Sequence, residues 1–325
     1  MNKLLFFLAF VCIHGIALGQ AIDNTASFRM VNSDHYIRLH YENDYFSGTD
    51  EYYTQGVNVE WMTPVFKKNP INRILILPKE GTHQFGIALD HNAYTPTSIY
   101  FNNILYGDRP FAASFVVKTF AISNHPTKKY RITSAFSVGI IGEAAGAHQI
   151  QKTIHRWIGD TDPKGWQYQI KNDIVINYEA RIEKNIIRSR YFIANYFTAG
   201  RIGTLSTKFS AGGTIMTGKL NSSITSVFSG EEPFQKQKFT FHFYAQPFIN
   251  TVLYDATLQG GMIFNRNSPY TISSKEIERL TLQGNAGLVF NIGSAYLEYF
   301  QSVSSKEFET AHKHNWGGVR LGVNF

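Results

Sequence analysis

Apolar and polar residues alternate with a period of two along most of the chain. Such stretches fall at residues 35–43, 54–63, 83–91, 111–122, 129–142, 172–184, 190–200, 207–218, 237–254, 277–291, 295–303 and 314–325. This period belongs to strands whose two faces meet different surroundings. In KFTFHFYA, Phe239, Phe241 and Phe243 alternate with Thr240, His242 and Tyr244. In SAYLEYFQ, Ala295, Leu297 and Tyr299 alternate with Tyr296, Glu298 and Phe300, and in FGIALD the residues Phe85, Ile87 and Leu89 share the apolar face. The pattern predicts an all-β fold of about twelve strands, an even number, as a closed antiparallel barrel in a bacterial membrane has. Closure matters because an open sheet edge cannot be satisfied in lipid. Phe85, Ile87 and Leu89 are then expected to face lipid.

The last strand carries the same signal. In NWGGVRLGVNF, Trp316, Val319, Leu321, Val323 and Phe325 read largely as one face, with Asn315, Arg320 and Asn324 on the other. A terminal strand that ends on an aromatic residue resembles the assembly signal of bacterial outer-membrane barrels. The start of the chain, MNKLLFFLAFVCIHGIALGQ, has an early cation (Lys3), an apolar run and a small-residue end at Ala17-Leu18-Gly19. That is the layout of a secretory signal over residues 1–19, leaving one barrel domain at 20–325. The single cysteine, Cys12, falls inside the signal, so disulfide and thiol chemistry are excluded from the exported part.

With the amino-terminal end of the first strand in the periplasm, the 44–53, 92–110, 143–171, 255–276 and 304–313 segments are expected outside the cell. Two periplasmic connections are long, 64–82 and 219–236. The RILILP run within the first is either an amphipathic piece on the inner rim or a hydrophobic turn. One outer loop departs from strand periodicity. From Ala147 to Ile158, Ile150, Ile154, Trp157 and Ile158 fall on one helical face, and His148, Gln151, Lys152 and His155 on the other. Gly159 should stop the helix. The apolar face is expected to pack on the barrel wall, with the polar stripe then also held close to that wall.

Composition agrees with a barrel. Charged residues make up 17% of the chain and aromatics 15%, charge-poor and aromatic-rich for a water-soluble protein. The net charge of +7 suits an anionic lipid surface. No motif for nucleic acid or a nucleotide cofactor occurs.

The polar residues of ENDYFSGTDEYYTQG, at 42–56, lie where the first two strands meet. Asn43 and Asp44 end one strand and Thr54 begins the next. A carboxylate beside an amide oxygen can hold a hard cation such as Ca²⁺, which takes several oxygen ligands. A histidine near such an ion can take a proton from water, and the ion can stabilise an ester oxyanion. No GxSxG nucleophile elbow and no HExxH zinc motif is present.

Four pieces carry a resemblance: NDYFSGTDEYYTQG; YTP and GDRPF at 94–111; GIIGEAAGAHQIQKTIHRWIG and the following Pro163 and Gly165-Trp166; and the aromatic end. Together they are similar to the outer-membrane lipid A 3′-O-deacylase family of the LpxR type. The resemblance implies a twelve-stranded barrel that binds Ca²⁺ and removes the 3′-linked acyloxyacyl group of lipid A, its partner in the outer leaflet. It implies that His155 activates water, that Gln151 orients the base or the substrate, that Asn43 and Asp44 form the metal and carbonyl-binding corner, and that Thr54 lines the pocket. An acid beyond the helix, Asp160 or Asp162, is expected to join the site, with Asp160 assigned to the metal. Where the family has a lysine after the Tyr-Thr-Pro step, this chain has none. Arg109 is the nearest cation in sequence and is assigned to the substrate. The alternative reading is a small porin, or a structural barrel that keeps the scaffold without the chemistry.

Overall fold

The computed structural model describes residues 33–48, 51–125, 127–220 and 239–325. The expected signal segment and most of the 219–236 connection lie outside these residues. Twelve antiparallel strands form one closed barrel in which every strand pairs with its neighbours in sequence. They are β1 (Tyr36–Asn43), β2 (Gln55–Met62), β3 (Thr82–Tyr94), β4 (Ala112–His125), β5 (Tyr130–Ile141), β6 (Asp173–Arg188), β7 (Phe192–Gly203), β8 (Ser206–Lys219), β9 (Phe239–Asp255), β10 (Leu280–Ile292), β11 (Ala295–Ser304) and β12 (His314–Asn324). The ring closes where β1 pairs β12, from Tyr36 opposite Asn324 to Asn43 opposite Gly317. Sequence periodicity starts the tenth strand earlier, at residue 277. Ile277 instead makes an isolated bridge to Phe308 across two loops.

Alternation sets the two faces. Phe239, Phe241, Phe243, Leu297 and Tyr299 are exposed on the outer wall, while Thr240, His242, Tyr244, Tyr296, Glu298 and Phe300 are buried in the lumen. The lumen is filled by long side chains. Arg320 pairs with Glu298 and donates to His40 Nδ1 at 3.0 Å; Tyr244 donates to Glu298 at 2.6 Å; the Trp316 indole donates to Glu42 at 2.7 Å.

Two facings differ from the sequence reading. Trp316 points into the lumen with Arg320, because β12 keeps strict alternation without a bulge and both are even-numbered. Asn315 therefore shares the outer parity. Phe85 does lie on the outer parity, but it is buried, because the connection after β2 folds back over it. That connection forms two short 3-10 turns, Pro64–Lys68 and Pro70–Ile74.

One rim carries the long loops 44–54, 95–111, 142–172, 256–279 and 305–313. The other carries both ends of the barrel wall and the 63–81 connection. The loop between β5 and β6 contains helix α1 (Ala147–Ile158), the span that its spacing predicts, and a four-residue α2 (Ala256–Gln259) follows β9.

Candidate active site between the helix and the wall

Helix α1 lies against the outside of the barrel. Ala93 and Ala113 share the outward parity of the exposed Leu89, Phe115 and Val117, yet both are buried. They pack with Ala145, Ala147, Ile99, Phe111 and Trp166. Small residues on the wall and on the first turn let the backbones approach closely. His91, also outward, is tied down through its Nε2, 3.1 Å from the carbonyl of Ala145, with Nδ1 3.3 Å from Gln55.

The helix presents the opposite face from the one expected. Ala147, Gln151 and His155 are its buried residues, whereas Trp157 is 81% and Ile158 69% exposed, with Ile150 exposed beside them. The expectation that the apolar stripe packs on the wall is therefore corrected. The rule that apolar residues turn inward assumes water outside. Beside a lipid-facing wall the outside is hydrocarbon, so the apolar stripe can turn outward and leave the polar stripe enclosed.

The chain positions His155 through the helix end. Gly159, with φ +76°, closes the helix, and the N–H groups of Gly159 and Asp160 both reach the carbonyl of His155. The backbone then doubles back, so that the Thr161 carbonyl lies 2.7 Å from His155 Nδ1. A carbonyl only accepts, so Nδ1 carries the proton and Nε2 keeps the lone pair. Asp160 sits beside the same nitrogen, 3.6 Å away, with its other oxygen accepting from the Thr161 N–H at 2.7 Å. Asp162 turns to the helix surface, where it accepts from Arg156 at 3.2 and 3.3 Å and pairs with Lys152 at 3.5 Å. The Arg156 hydrogen bond, with the charges of Arg156 and Lys152, holds its carboxyl below the ordinary range. The structure thus separates the two acids: Asp160 is next to the histidine and Asp162 braces the helix.

Gln151 is 2% exposed, and its Oε1 accepts from the Trp166 indole at 2.7 Å. That bond fixes the amide, leaving Nε2 as a buried donor with no hydrogen-bond partner among the described residues. Trp166 is seated by Phe111, 4.9 Å away, and by His148 stacked at 6.1 Å. Gly165 permits this: its φ is +95°, and a Cβ there would stand 2.7 Å from the Phe111 ring. Sequence reasoning placed Trp166 only within a motif and missed its hold on Gln151. The available signal was an indole N–H that needs a partner once buried.

On the wall side, Asn43 lies on the outer parity at the end of β1. Its Oδ1 accepts from Tyr45 N at 2.7 Å, and its Nδ2 donates to the Thr54 carbonyl. Asp44 opens a short 3-10 turn and is 1% exposed. The Thr54 hydroxyl is 2.8 Å from that of Thr95, and its N–H donates to the Ala93 carbonyl at 3.1 Å. Ala93 in turn touches the helix cluster, so the strand ends and the helix form one continuous patch. Among the described residues, no three acidic or histidine side chains gather as a metal cluster, so Asp44, His155 and Asp160 do not close around one point.

Arg109 stands apart from this patch. It pairs with Glu307, donates to Thr257 Oγ1 at 2.8 Å, and stacks 4.2 Å over the Tyr94 ring. Its guanidinium therefore staples three long loops together across the mouth.

A closed outer-membrane barrel with a polar helix stripe held against its outer wall defines the class: a membrane β-barrel whose candidate site lies on the outside of its wall. The chain belongs to the family described as outer membrane protein LpxR, which it matches over residues 4–325. Among solved structures it is similar to LpxR from Salmonella typhimurium, with 17% identity and a TM-score of 0.70, over 89% of this chain and 100% of that one. Weaker likenesses are to the beta domain of the Bordetella autotransporter Brka (7% identity, 91% of this chain and 100% of that one, TM-score 0.45) and to the Pseudomonas putida toluene transporter TodX (8%, 96% and 96%, 0.39). No curated protein matches in sequence.

Proposed function

We propose that the protein is a lipid A deacylase of the outer leaflet that hydrolyses the 3′-linked acyl ester with a histidine-activated water. The observation that carries this reading is the enclosed pair on α1: His155, with a lone pair on Nε2, and Gln151, with an unspent amide donor. Family membership and the position of the patch on the outside of the barrel wall support a membrane lipid as substrate.

The steps follow from those two groups. His155 Nε2 takes a proton from water as its oxygen adds to the ester carbonyl carbon. The Thr161 carbonyl, with Asp160 beside it, holds the imidazole through Nδ1 and leaves Nε2 turned to the water. Gln151 Nε2 donates to the carbonyl oxygen as negative charge gathers there. The tetrahedral adduct collapses, the C–O bond to the sugar breaks, and His155 returns its proton to the departing sugar oxygen. A fatty acid and a free sugar hydroxyl result.

Ca²⁺ is part of this proposal. The corner at the ends of β1 and β2 offers oxygen donors only, the Asp44 carboxylate, the Asn43 amide oxygen, the Thr54 hydroxyl and main-chain carbonyls, which is chemistry suited to a hard cation. When bound, the ion would supply a positive centre for the developing oxyanion. Asp44 and Asn43 would hold it. Asp160 is better suited to hold the histidine.

The passive-channel alternative is disfavoured by the side chains that fill the lumen. The test is to incubate purified protein with lipid A, with Ca²⁺ or with EDTA, and read the products by mass spectrometry. Loss of one acyl unit is expected with Ca²⁺ and is expected to vanish in EDTA and in His155→Ala. Unchanged lipid in every lane, or full activity in His155→Ala, would overturn the proposal.

A further inference from the structure

At the opposite rim, the connection after β2 forms a strap over the outer wall. Its sequence, PVFKKNPINRILILPKE at 64–80, holds four cations and a single acid. Prolines start both 3-10 turns, Asn69 caps the second by accepting from Ile71 N at 3.0 Å, and Asn72 ties the turns by donating to Phe66 O at 2.8 Å and Lys67 O at 3.2 Å. The strap is then bonded to the wall. Ile76 N donates to Ser134 Oγ at 3.0 Å, and the Tyr178 hydroxyl donates to the Ile74 carbonyl at 3.0 Å. The outward positions beneath it, Thr119, Ala121 and Ser134, are small and buried, so the wall is recessed to seat it.

Two properties show what this surface meets. Val65, Ile71, Ile74 and Ile76 are exposed on its outer side, directly below the exposed band of Leu89, Val117, Val138 and Ile176. Trp61 sits at the same level, edge-on to Phe66 at 5.1 Å. Beside these apolar residues, an open groove of about 740 Å³ is lined by Lys67, Lys68, Asn69, Asn72, Arg73, Leu77 and Phe85. Lys67, Lys68 and Arg73 are exposed, and no carboxylate pairs with them among the described residues. The strap's acid, Glu80, is turned to His125 at 3.3 Å. Cations over an apolar floor, at the lower border of a lipid-facing band, match a phosphate with its acyl chains.

We propose that this groove binds an anionic phospholipid of the leaflet at the terminal rim. Lys67, Lys68 and Arg73 hold its phosphate, and Leu77 and Phe85 receive the start of an acyl chain. The site lies at the other end of the barrel from His155, so its lipid is a resident of the wall and not a substrate.

The test uses the detergent-purified full chain and native mass spectrometry to count retained lipid after exposure to phosphatidylglycerol or phosphatidylcholine. The wild type is expected to retain phosphatidylglycerol about tenfold over phosphatidylcholine. The variant carrying Lys67→Gln, Lys68→Gln and Arg73→Gln is expected to lose that preference, whereas Lys128→Gln at the same rim is expected to keep it. The single changes Lys67→Gln and Arg73→Gln are expected to lower it in part, which keeps the test open if the triple variant assembles poorly. Equal retention of both lipids by the wild type, or an unchanged preference in the folded triple variant, would overturn the site. Loss of the preference in millimolar inorganic phosphate would show a phosphate-ion site and overturn the lipid assignment.

Discussion

A side-chain amide has a donor end and an acceptor end, and in Gln151 the two have different work. The acceptor is engaged by Trp166 and the donor is free to meet a substrate oxygen. The change Gln151→Glu keeps an acceptor for the indole and deletes the donor. It is expected to lower kcat on lipid A by about a hundredfold, as loss of one oxyanion donor does, with the barrel's heat-modifiable mobility on gels unchanged. Trp166→Phe removes the anchor and is expected to cause a smaller fall. Steady-state kinetics on both variants checks this order, and a larger loss in Trp166→Phe would mean that packing, not the donor, is what matters. His155 and Gln151 were legible from their four-residue spacing on one helical face. The partners that give them their roles, Trp166 and the Thr161 carbonyl, were not, because the turn that returns them to the helix depends on Gly159 and Gly165 in left-handed conformations.

Helix α1 is where sequence reading and structure part most usefully. Its limits were readable because a clear 3.6-residue period runs from Ala147 to Ile158 and Gly159 follows it. Which stripe faces inward was not, because periodicity gives the contrast between two faces and not the solvent each one meets. The same reason explains Phe85, whose parity was read correctly and whose cover, the strap, comes from a loop without strand periodicity. The exposed stripe has a testable consequence. Trp157→Asp sets a charge on the surface turned to lipid, and it is expected to raise KM for lipid A in vesicles about tenfold, more than it lowers kcat. The far end of the helix depends on pH. Asp162 is held ionised by Arg156 and Lys152. Its depressed value means that its contribution is present above the ordinary carboxylate range and is lost as pH falls through it. The protection of the amides at 156–162, taken relative to intrinsic exchange at each pH, is therefore expected to fall below about pH 4, and Asp162→Asn to show the lower protection at neutral pH.

The barrel as a whole is braced from within. Arg320 and Glu298 are fully buried and paired, with Tyr244, Tyr296 and His40 bonded to one or the other. Glu298→Leu takes the carboxylate from beside that guanidinium. It is expected to destabilise the barrel by about 3–5 kcal/mol, read as a lower urea midpoint in detergent. A midpoint within error of the wild type would mean that the remaining partners suffice. The strand count and most strand limits were readable because each strand separates lipid from a polar lumen, although β3, β4, β6 and β7 run three or four residues past their expected ends and β10 starts three residues late. The order of strands followed because neighbours in sequence are neighbours in the ring. The joint between Tyr36–Asn43 and His314–Asn324 gives that ring a direction in time. The stretch made first waits for the stretch made last, and until they meet each carries a bare margin of N–H and C=O groups that oil cannot accept. Closure is therefore a single commitment by all twelve strands, and the strand that ends at Asn324 acts as its latch.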